Sequence, residues 1–366
     1  MKIALAVLSL FCTPLMLSGD DPAELRARGP AVIDELIVDN VDDALLDRVC
    51  AQKDCRASRL FWYTDLEEAK AVARAEHKPI LSLRLLGRLD EEVSCANSRF
   101  FRTILYPDPK IAALMRDAFV LHWQSVRAVP TITIEMGDGR VIRQTITGNS
   151  IHYLLDENGD VLDALPGMNS PAAFHAQLAE WNALQQRLDR THDRGEELRQ
   201  FHFAAMQRDL SVRSLYGAAP LYFAPKEKPK AIDAQRLAMT KSAIEIPVLT
   251  RLDPKASMRE MPQPTWDRIG EAEKDNVVFS RNAIELMSRK QTLTDEMLDQ
   301  LRTNIAIDTV LNQGELRYRI ETWFLQNEVT DVDSLNERIY RELFLTPLDD
   351  PWMGLKPATV FAAMEE

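Results

Sequence analysis

The run of residues 80–86 constrains the fold of this chain most, because it is apolar except at Ser82 and Arg84. A run of this kind suits a strand that is covered on both faces, as in the central strands of α/β sheets. Residues 64–76 before it have apolar side chains at helical spacing, and Thr64 begins the pattern of a capping box. The sequence therefore predicts a helix that leads directly into a buried central strand.

Helices and strands continue to alternate after this strand. Cys95 opens a helical stretch, Asp108-Pro109 opens the next one, and Ser170-Pro171 begins a long amphipathic helix. Between them lie Asp138-Gly139 and Asn158-Gly159, dipeptides that favour tight hairpin turns. The predicted order is helix, strand, helix, strand, hairpin strands and helix. Strands are predicted over residues 119–126, 131–136, 141–147 and 151–155.

The pattern changes beyond about residue 182. Prolines and lysines between residues 216 and 230 are typical of a linker, and the residues after them are predicted to be almost entirely helical. Asn304, Asp308 and Asn312 recur every four residues, which is more typical of a solvated stripe than of a cleft lining. The last helix is predicted to begin at Ser334 with a capping box. Candidate helices cover residues 231–244, 266–289, 294–311, 315–326 and 334–344.

The distribution of charge excludes several classes of function. The chain of 366 residues has a formal net charge of −12 and no local cluster of Lys and Arg, so nucleic acid is an unfavourable partner. Residues 1–19 combine Lys2 with an apolar stretch, the order typical of a secretory signal peptide. That stretch is shorter than the roughly 20 residues of a membrane-spanning helix, although an uncleaved anchor is the alternative. We therefore expect an exported protein, periplasmic or extracellular, with no integral membrane segment beyond the signal.

The cysteines add a prediction about disulfides. Cys12 falls inside the predicted signal peptide, which leaves Cys50, Cys55 and Cys95 in the exported chain. Cys50 and Cys55 are close in sequence, so closing a loop between them is entropically easy, and a structural disulfide is the first expectation. The alternatives are two separate thiols, or one of these cysteines acting as a resolving partner for Cys95.

Several of these features together resemble the thioredoxin superfamily. They are Lys78-Pro79-Ile80-Leu81, a cysteine at the start of the next helix, and a turn-rich strand pair that closes on a helix. Arg99-Phe100-Phe101, residues 147–153 and Leu165-Pro166-Gly167 are similar, more narrowly, to exported thioredoxin-family proteins without an established activity. The fold class implied is an α/β thioredoxin-like domain followed by an all-α C-terminal domain. With the resemblance assigning residues 59–190 to the thioredoxin-like domain, the predicted organisation is a signal peptide at 1–19, an N-terminal helical segment at 20–58, that domain, a helix extension and linker at 191–230, and a helical domain at 231–366.

The same resemblance implies thiol chemistry at Cys95, with two departures. The redox motif of the family is Cys-x-x-Cys, and here Ser98 stands at the position of the second cysteine. The position of the family's cis-proline falls on Ile151, so Asn149, Ser150 and Ile151 are expected to form the loop that faces the substrate. Unpaired amides and the helix dipole favour a thiolate at a helix start. The function implied is monothiol exchange with protein thiols or disulfides, with Cys95 and Ser98 as catalytic residues and no cofactor.

A non-catalytic protein-binding module built on the same fold is the alternative function. In that case Cys95 is a buried residue retained in the fold, since cysteines outside disulfides are among the most buried residues. His152 is either a base for the thiol or, as is commoner, a half-buried strand histidine. The six histidines show no ligand spacing, so no metal site is expected. The two hypotheses differ in the reactivity of Cys95 toward an alkylating reagent.

Overall fold

The computed structural model describes residues 21–145, 147–215 and 263–354. The predicted signal peptide, residues 216–230 of the predicted linker and the helix predicted at 231–244 lie outside the described residues. Among the residues described, no helix is both long enough and apolar enough to cross a membrane. The N-terminal segment forms the short helices α1 (Pro22–Ala27), α2 (Val32–Val38), α3 (Asp43–Cys50) and α4 (Cys55–Ser58).

A mixed sheet of four strands and a separate hairpin follow this segment. The strands are β1 (Ile80–Leu86), β2 (Val120–Arg127), β3 (Thr131–Glu135), β4 (Val141–Thr145), β5 (Ser150–Leu155) and β6 (Val161–Pro166). The mixed sheet has the order β2-β1-β5-β6, and β3 and β4 form the hairpin. β1 is parallel to β2 and antiparallel to β5, and β5 is antiparallel to β6. The helices of this part are α5 (Leu66–Glu76), α6 (Ala96–Phe100) continued by a π-helical turn (Phe101–Leu105), α7 (Pro109–Ala118), α8 (Pro171–Leu188) and α9 (Arg194–Leu215).

The elements around β1 follow from the sequence patterns. Every residue of β1 is buried, which confirms the prediction of a strand covered on both faces. The hydroxyl of Ser170 accepts a hydrogen bond from the Ala173 amide at 3.3 Å and begins α8 as predicted. The start predicted for α5 is wrong by one residue, because Asp65 and not Thr64 is the N-cap. Asp ranks above Thr as an N-cap, and its charge also interacts favourably with the helix dipole.

The C-terminal helices depart from their predicted bounds in two places. The helix predicted over residues 266–289 is interrupted, because Val277 and Phe279 are buried in the core and Ser280 then caps a new helix. The last helix begins after Asp331 and not at Ser334, since the Asp331 carboxylate accepts from the Ser334 amide at 2.9 Å. The elements are α10 (Gln263–Glu273), a 3₁₀ turn (Lys274–Asn276), α11 (Arg281–Lys290), α12 (Asp295–Leu311), a π-helical turn (Asn312–Arg317), α13 (Tyr318–Leu325), α14 (Val332–Arg338) and a π-helical turn (Ile339–Leu343).

The apolar core joins the α/β part of the chain to the C-terminal helices. Alternate residues of β1 and β5 contribute to two clusters, one on each face of the sheet. The first cluster contains Leu83 together with Ile305 of α12, and the second contains Tyr153 together with Ile320 and Tyr340. The boundary predicted between two domains stays a prediction, while the residues on either side of it share both clusters.

Candidate functional site

Cys95 follows the loop after β1 and is the N-cap residue of α6. Its backbone is extended, and its sulfur accepts a hydrogen bond from the Ser98 amide at 3.4 Å. The thiol therefore lies where helix amides favour a thiolate. It is also completely buried, with 0% of the residue exposed. A disulfide in solution reaches this sulfur only if the residues that cover it move away.

The backbone amide of Ser98 donates to the Cys95 sulfur, and its side chain bonds to the loop before α6. The hydroxyl of Ser98 donates to the carbonyl oxygen of Arg88 at 3.1 Å. Ser94 donates to the same carbonyl. Both hydroxyls therefore fix the loop between β1 and α6.

The loop predicted to face the substrate lies directly against the start of α6. A Cβ atom on Gly148 would lie 3.3 Å from the Cβ atom of Cys95 and 3.1 Å from the amide nitrogen of Ala96, so a side chain here would require these neighbours to shift by a few tenths of an ångström. The side-chain amide of Asn97 donates to the hydroxyl of Ser150 at 2.6 Å. Ile151 is fully buried in the same apolar cluster as Cys95. The structure brings Cys95 and this loop together, but it leaves little of the loop at the surface.

Residues 331–346, here called the covering segment, close this site from outside. The hydroxyl of Tyr340 donates to the carbonyl oxygen of Asn149 at 2.9 Å, and the side-chain amide of Asn149 donates to the Thr346 hydroxyl at 2.8 Å. Burial raises the pKa of Tyr340 well above its ordinary value, and the nearby Cys95 adds to that rise. Tyr340 thus remains a protonated donor. Asn149, which the sequence predicts to face a substrate, contacts the chain's own C-terminal part.

Cys50 and Cys55 form a disulfide, as predicted. Cys50 at the end of α3 is bonded to Cys55 at the start of α4. Both residues are completely buried, and the Cys55 amide donates to the carboxylate of Asp47 at 3.0 Å. Because both sulfurs are used by the bridge, neither is available to resolve a mixed disulfide at Cys95 in this state.

His152 belongs to the opposite face of the sheet from Cys95. Its Nε2 atom lies 2.8 Å from the hydroxyl of Tyr106, and its ring packs edge-on against Phe101 and Phe174. Burial lowers the pKa of His152 to about 3, so the ring is neutral at physiological pH. The alternative of a base for Cys95 is therefore not supported by the geometry, and His152 is a fully buried strand histidine.

A second buried polar site lies between β6, α9 and α13. The Nη2 atom of Arg317 is 2.7 Å from the carboxylate of Asp163, and its Nε atom is 2.9 Å from that of Glu321. The Trp181 indole donates to the same Asp163 oxygen at 2.6 Å, and the Nδ1 atom of His202 lies 2.6 Å from Glu321. The Arg317 cluster is defined here as Asp163, His202, Asp209, Arg317 and Glu321.

The Arg317 cluster could not be predicted from local patterns, because its members are far apart along the chain. Arg317 and Asp163 are separated by 154 residues, and only the pair of Arg317 with Glu321 has a local helical spacing. The neighbouring polar stripe is also buried, since Asn312 donates to the Met168 carbonyl at 2.6 Å and Asp308 is 8% exposed. The predicted solvated stripe is therefore wrong at these two positions.

In the Arg317 cluster the positive charge of Arg317 compensates the negative charges of the buried carboxylates of Asp163 and Glu321. Burial raises the pKa of Asp209 to about 8, against the opposing charge of Arg317, and the like charge of Glu321 adds to the rise. Asp163, His202 and Glu321 place one ligand atom each within 4.8 Å of one another, a spacing that a metal ion would also need. However, N–H groups of Trp181 and Arg317 already occupy the carboxylates. The arrangement is that of a structural ion-pair network.

No protein-family model, no curated protein and no solved structure matches the chain.

Proposed function

We propose that the chain is a non-catalytic protein-binding module built on a thioredoxin-like fold, in an exported protein. The fold is supported by the order helix, strand, helix, strand, hairpin strands and helix, which α5 to α8 and the strands between them follow. It is also supported by the place of Cys95 at the helix start after the central strand. Export is supported by the disulfide between Cys50 and Cys55, because disulfides persist in oxidising compartments.

The burial of Cys95 beneath the covering segment is the observation that favours a non-catalytic function. The sulfur is 0% exposed, and Tyr340 and Thr346 bond to the loop on which an incoming substrate would have to lie. Thiol-disulfide exchange requires the thiolate to reach a substrate sulfur in line with the bond that breaks. With that approach filled by the chain itself, Cys95 acts as a helix cap and a core residue.

Monothiol exchange is the second candidate, and the hydrogen bond from the Ser98 amide to the Cys95 sulfur favours it. In that reaction the Cys95 thiolate attacks a substrate disulfide, a Cys95–substrate bond forms, and the other substrate sulfur leaves as a thiolate. A thiol of the substrate or of another molecule must then reduce the mixed disulfide and release the Cys95 thiol, because Cys50 and Cys55 are bonded to each other. The covering segment would have to open before the first step.

Alkylation of Cys95 in the native protein separates the two functions. The matched control is Val93→Cys in a Cys95→Ser background, since Val93 lies two residues away and is 44% exposed. The non-catalytic proposal expects Cys95 to react at least about a hundredfold more slowly than Cys at 93, because labelling then requires opening of the structure. Equal rates for the two cysteines at neutral pH would refute the proposal.

Insulin reduction by Ser98→Cys provides a second readout. Under the non-catalytic proposal the variant stays at the background rate, because both sulfurs would be buried at the start of α6. Under monothiol exchange it gains activity, since a second thiol one helical turn away can resolve the mixed disulfide. Circular dichroism of the variant would establish that a negative result comes from a folded protein.

A further inference from the structure

The β3–β4 hairpin has an apolar face that is partly exposed in the part of the chain that the structure describes. Residues of β3 alternate between exposed and half-buried, and β4 is exposed from Val141 to Arg143. Ile134 lies directly opposite Ile142, and Ile132 is on the same face. A two-stranded hairpin is marginally stable by itself in water, so further strands beside it would stabilise it.

The outer edge of β3 has backbone groups free to pair within the described residues, where the hairpin sheet consists of β3 and β4. The Met136 amide donates to the Arg140 carbonyl at 3.0 Å, which fixes the phase of the ladder. Hydrogen-bonded and non-bonded pairs alternate along antiparallel strands. The amides and carbonyls of Thr131, Thr133 and Glu135 therefore point away from β4, and these three residues are exposed.

We propose that β3 pairs with β3 of a second copy of this chain, antiparallel across a twofold axis at Thr133. In this register Thr133 faces its own counterpart, and Thr131 faces Glu135 of the second copy. Every outward amide and carbonyl of the three residues then has a partner, because each facing pair exchanges two hydrogen bonds. The two hairpins become one sheet of four strands.

The side chains of β3 favour this self-pairing. The strand repeats the pattern Thr-Ile-Thr-Ile, so that Ile132 faces Ile134 of the second copy and extends the apolar face across both hairpins. A twofold interface needs such a self-complementary surface. The single charge of β3, Glu135, faces a threonine. No Lys or Pro within β3 blocks the edge, although natural edge strands often use them for that purpose.

The outer edge of β4 is a poorer choice. Its outward residues are Val141, Arg143 and Thr145, so the equivalent twofold pairing places Arg143 opposite itself. Like charges directly opposite each other destabilise a sheet. Thr145 is moreover buried and contacts the carbonyl of Ser94, which places that end of β4 against the body of the protein. This inference concerns a surface other than the thiol site and stands whether or not Cys95 is reactive.

Sedimentation analysis of the full chain over a range of concentrations tests the dimer, with Thr133→Pro and Val141→Pro as a matched pair. Both substitutions remove an outward amide and leave the β3–β4 ladder intact, and edge strands tolerate proline. We expect Thr133→Pro to raise the dissociation constant by about thirtyfold, because the twofold axis loses two hydrogen bonds. Val141→Pro should change it by about twofold at most. A chain that is monomeric up to its solubility limit, or a dimer weakened only by Val141→Pro, would overturn the inference.

Oxidative cross-linking tests the register without relying on affinity. In the proposed pairing the Cα atoms of the two Thr133 residues are about 5.5 Å apart, within the range of a disulfide. Those of the two Thr131 residues are about 14 Å apart. Thr133→Cys should therefore form a disulfide-linked dimer on oxidation and Thr131→Cys should not, with Cys95 present in both. Equal cross-linking of the two variants, or none in either, would contradict the register.

Discussion

Polar residues are used in two opposite ways in two regions of the molecule. One region is the contact between the C-terminal helices and the four-stranded sheet, and the other is the β3–β4 hairpin. At the Arg317 cluster, buried groups pair across long stretches of chain, as Arg317 does with Asp163 over 154 residues. At the covering segment, the buried Arg84 pairs with the exposed Asp333 over 249 residues. On the hairpin, Arg140 pairs with Asp138 two residues away, and both side chains are exposed. The difference indicates that stability resides where distant segments meet, and that the hairpin is left for contacts outside the chain.

Arg317→Ala compared with Arg143→Ala is the strongest test of this difference. Loss of Arg317 leaves Asp163 and Glu321 buried without their countercharge, and we expect the free energy of unfolding to fall by about 3–5 kcal/mol. Arg143 is exposed, so its removal should change stability by about 0.5 kcal/mol at most. Urea denaturation followed by circular dichroism measures both values. Similar losses in the two variants would mean that the cluster does not stabilise the fold.

Asp209→Asn tests the same difference between buried and exposed groups by measuring how stability depends on pH. The pKa of Asp209 is about 8 in the folded chain, against about 3.9 in an unfolded one, so the folded chain keeps a proton that the unfolded chain releases. The stability that this group contributes is full below about pH 4 and decreases as the pH rises toward 8. Because asparagine does not ionise, the variant should gain stability relative to the natural chain as the pH rises from 5 to 9, by on the order of 4 kcal/mol.

Asp138→Asn on the exposed hairpin turn is the matched control for the pH experiment. Hydrogen bonds from Arg140 lower the pKa of Asp138, which is the opposite direction to Asp209. The control should therefore show no gain in stability with rising pH. Parallel stability profiles for Asp209→Asn and the natural chain would mean that Asp209 is ionised in the folded protein at neutral pH.

Tyr340→Phe is expected to have the smallest effect of the three. It removes the hydrogen bond to the Asn149 carbonyl, with a loss of about 1 kcal/mol, whereas Thr131→Val on the hairpin should stay within about 0.5 kcal/mol. If the covering segment governs access to Cys95, the same variant should also be alkylated about fivefold faster. Lower stability with an unchanged alkylation rate would show that other residues control access.

Local patterns were sufficient to predict the centre of the fold. β1 could be placed to the residue because a run of apolar side chains leaves no face for solvent, and its one charged residue, Arg84, is buried with a partner. α8 could be placed because Ser170-Pro171 combines a cap with a first-turn proline. The disulfide between Cys50 and Cys55 followed from their short separation. Each of these signals lies within a few residues of the element that it predicts.

The surroundings of the thiol could not be predicted in the same way. Cys95 was located at a helix start by its neighbours, but the apolar cluster that buries it includes Tyr340, more than two hundred residues further along the chain. No pattern within a short stretch of sequence indicates a contact with a residue so far along the chain. For the same reason Asn149 suggested a substrate loop, although its side chain bonds to Thr346. Spacing within a segment predicts its secondary structure, and only the assembled fold shows what covers it.

The pairing of Arg84 with Asp333 has a consequence for how the chain folds. The central strand is synthesised long before the residue that neutralises its buried guanidinium, so an emerging chain has an incomplete sheet with exposed apolar faces. Contacts between residues so far apart in sequence also raise the contact order, which slows folding. Until α14 has docked, the chain therefore depends on dilution or on a chaperone to avoid aggregation.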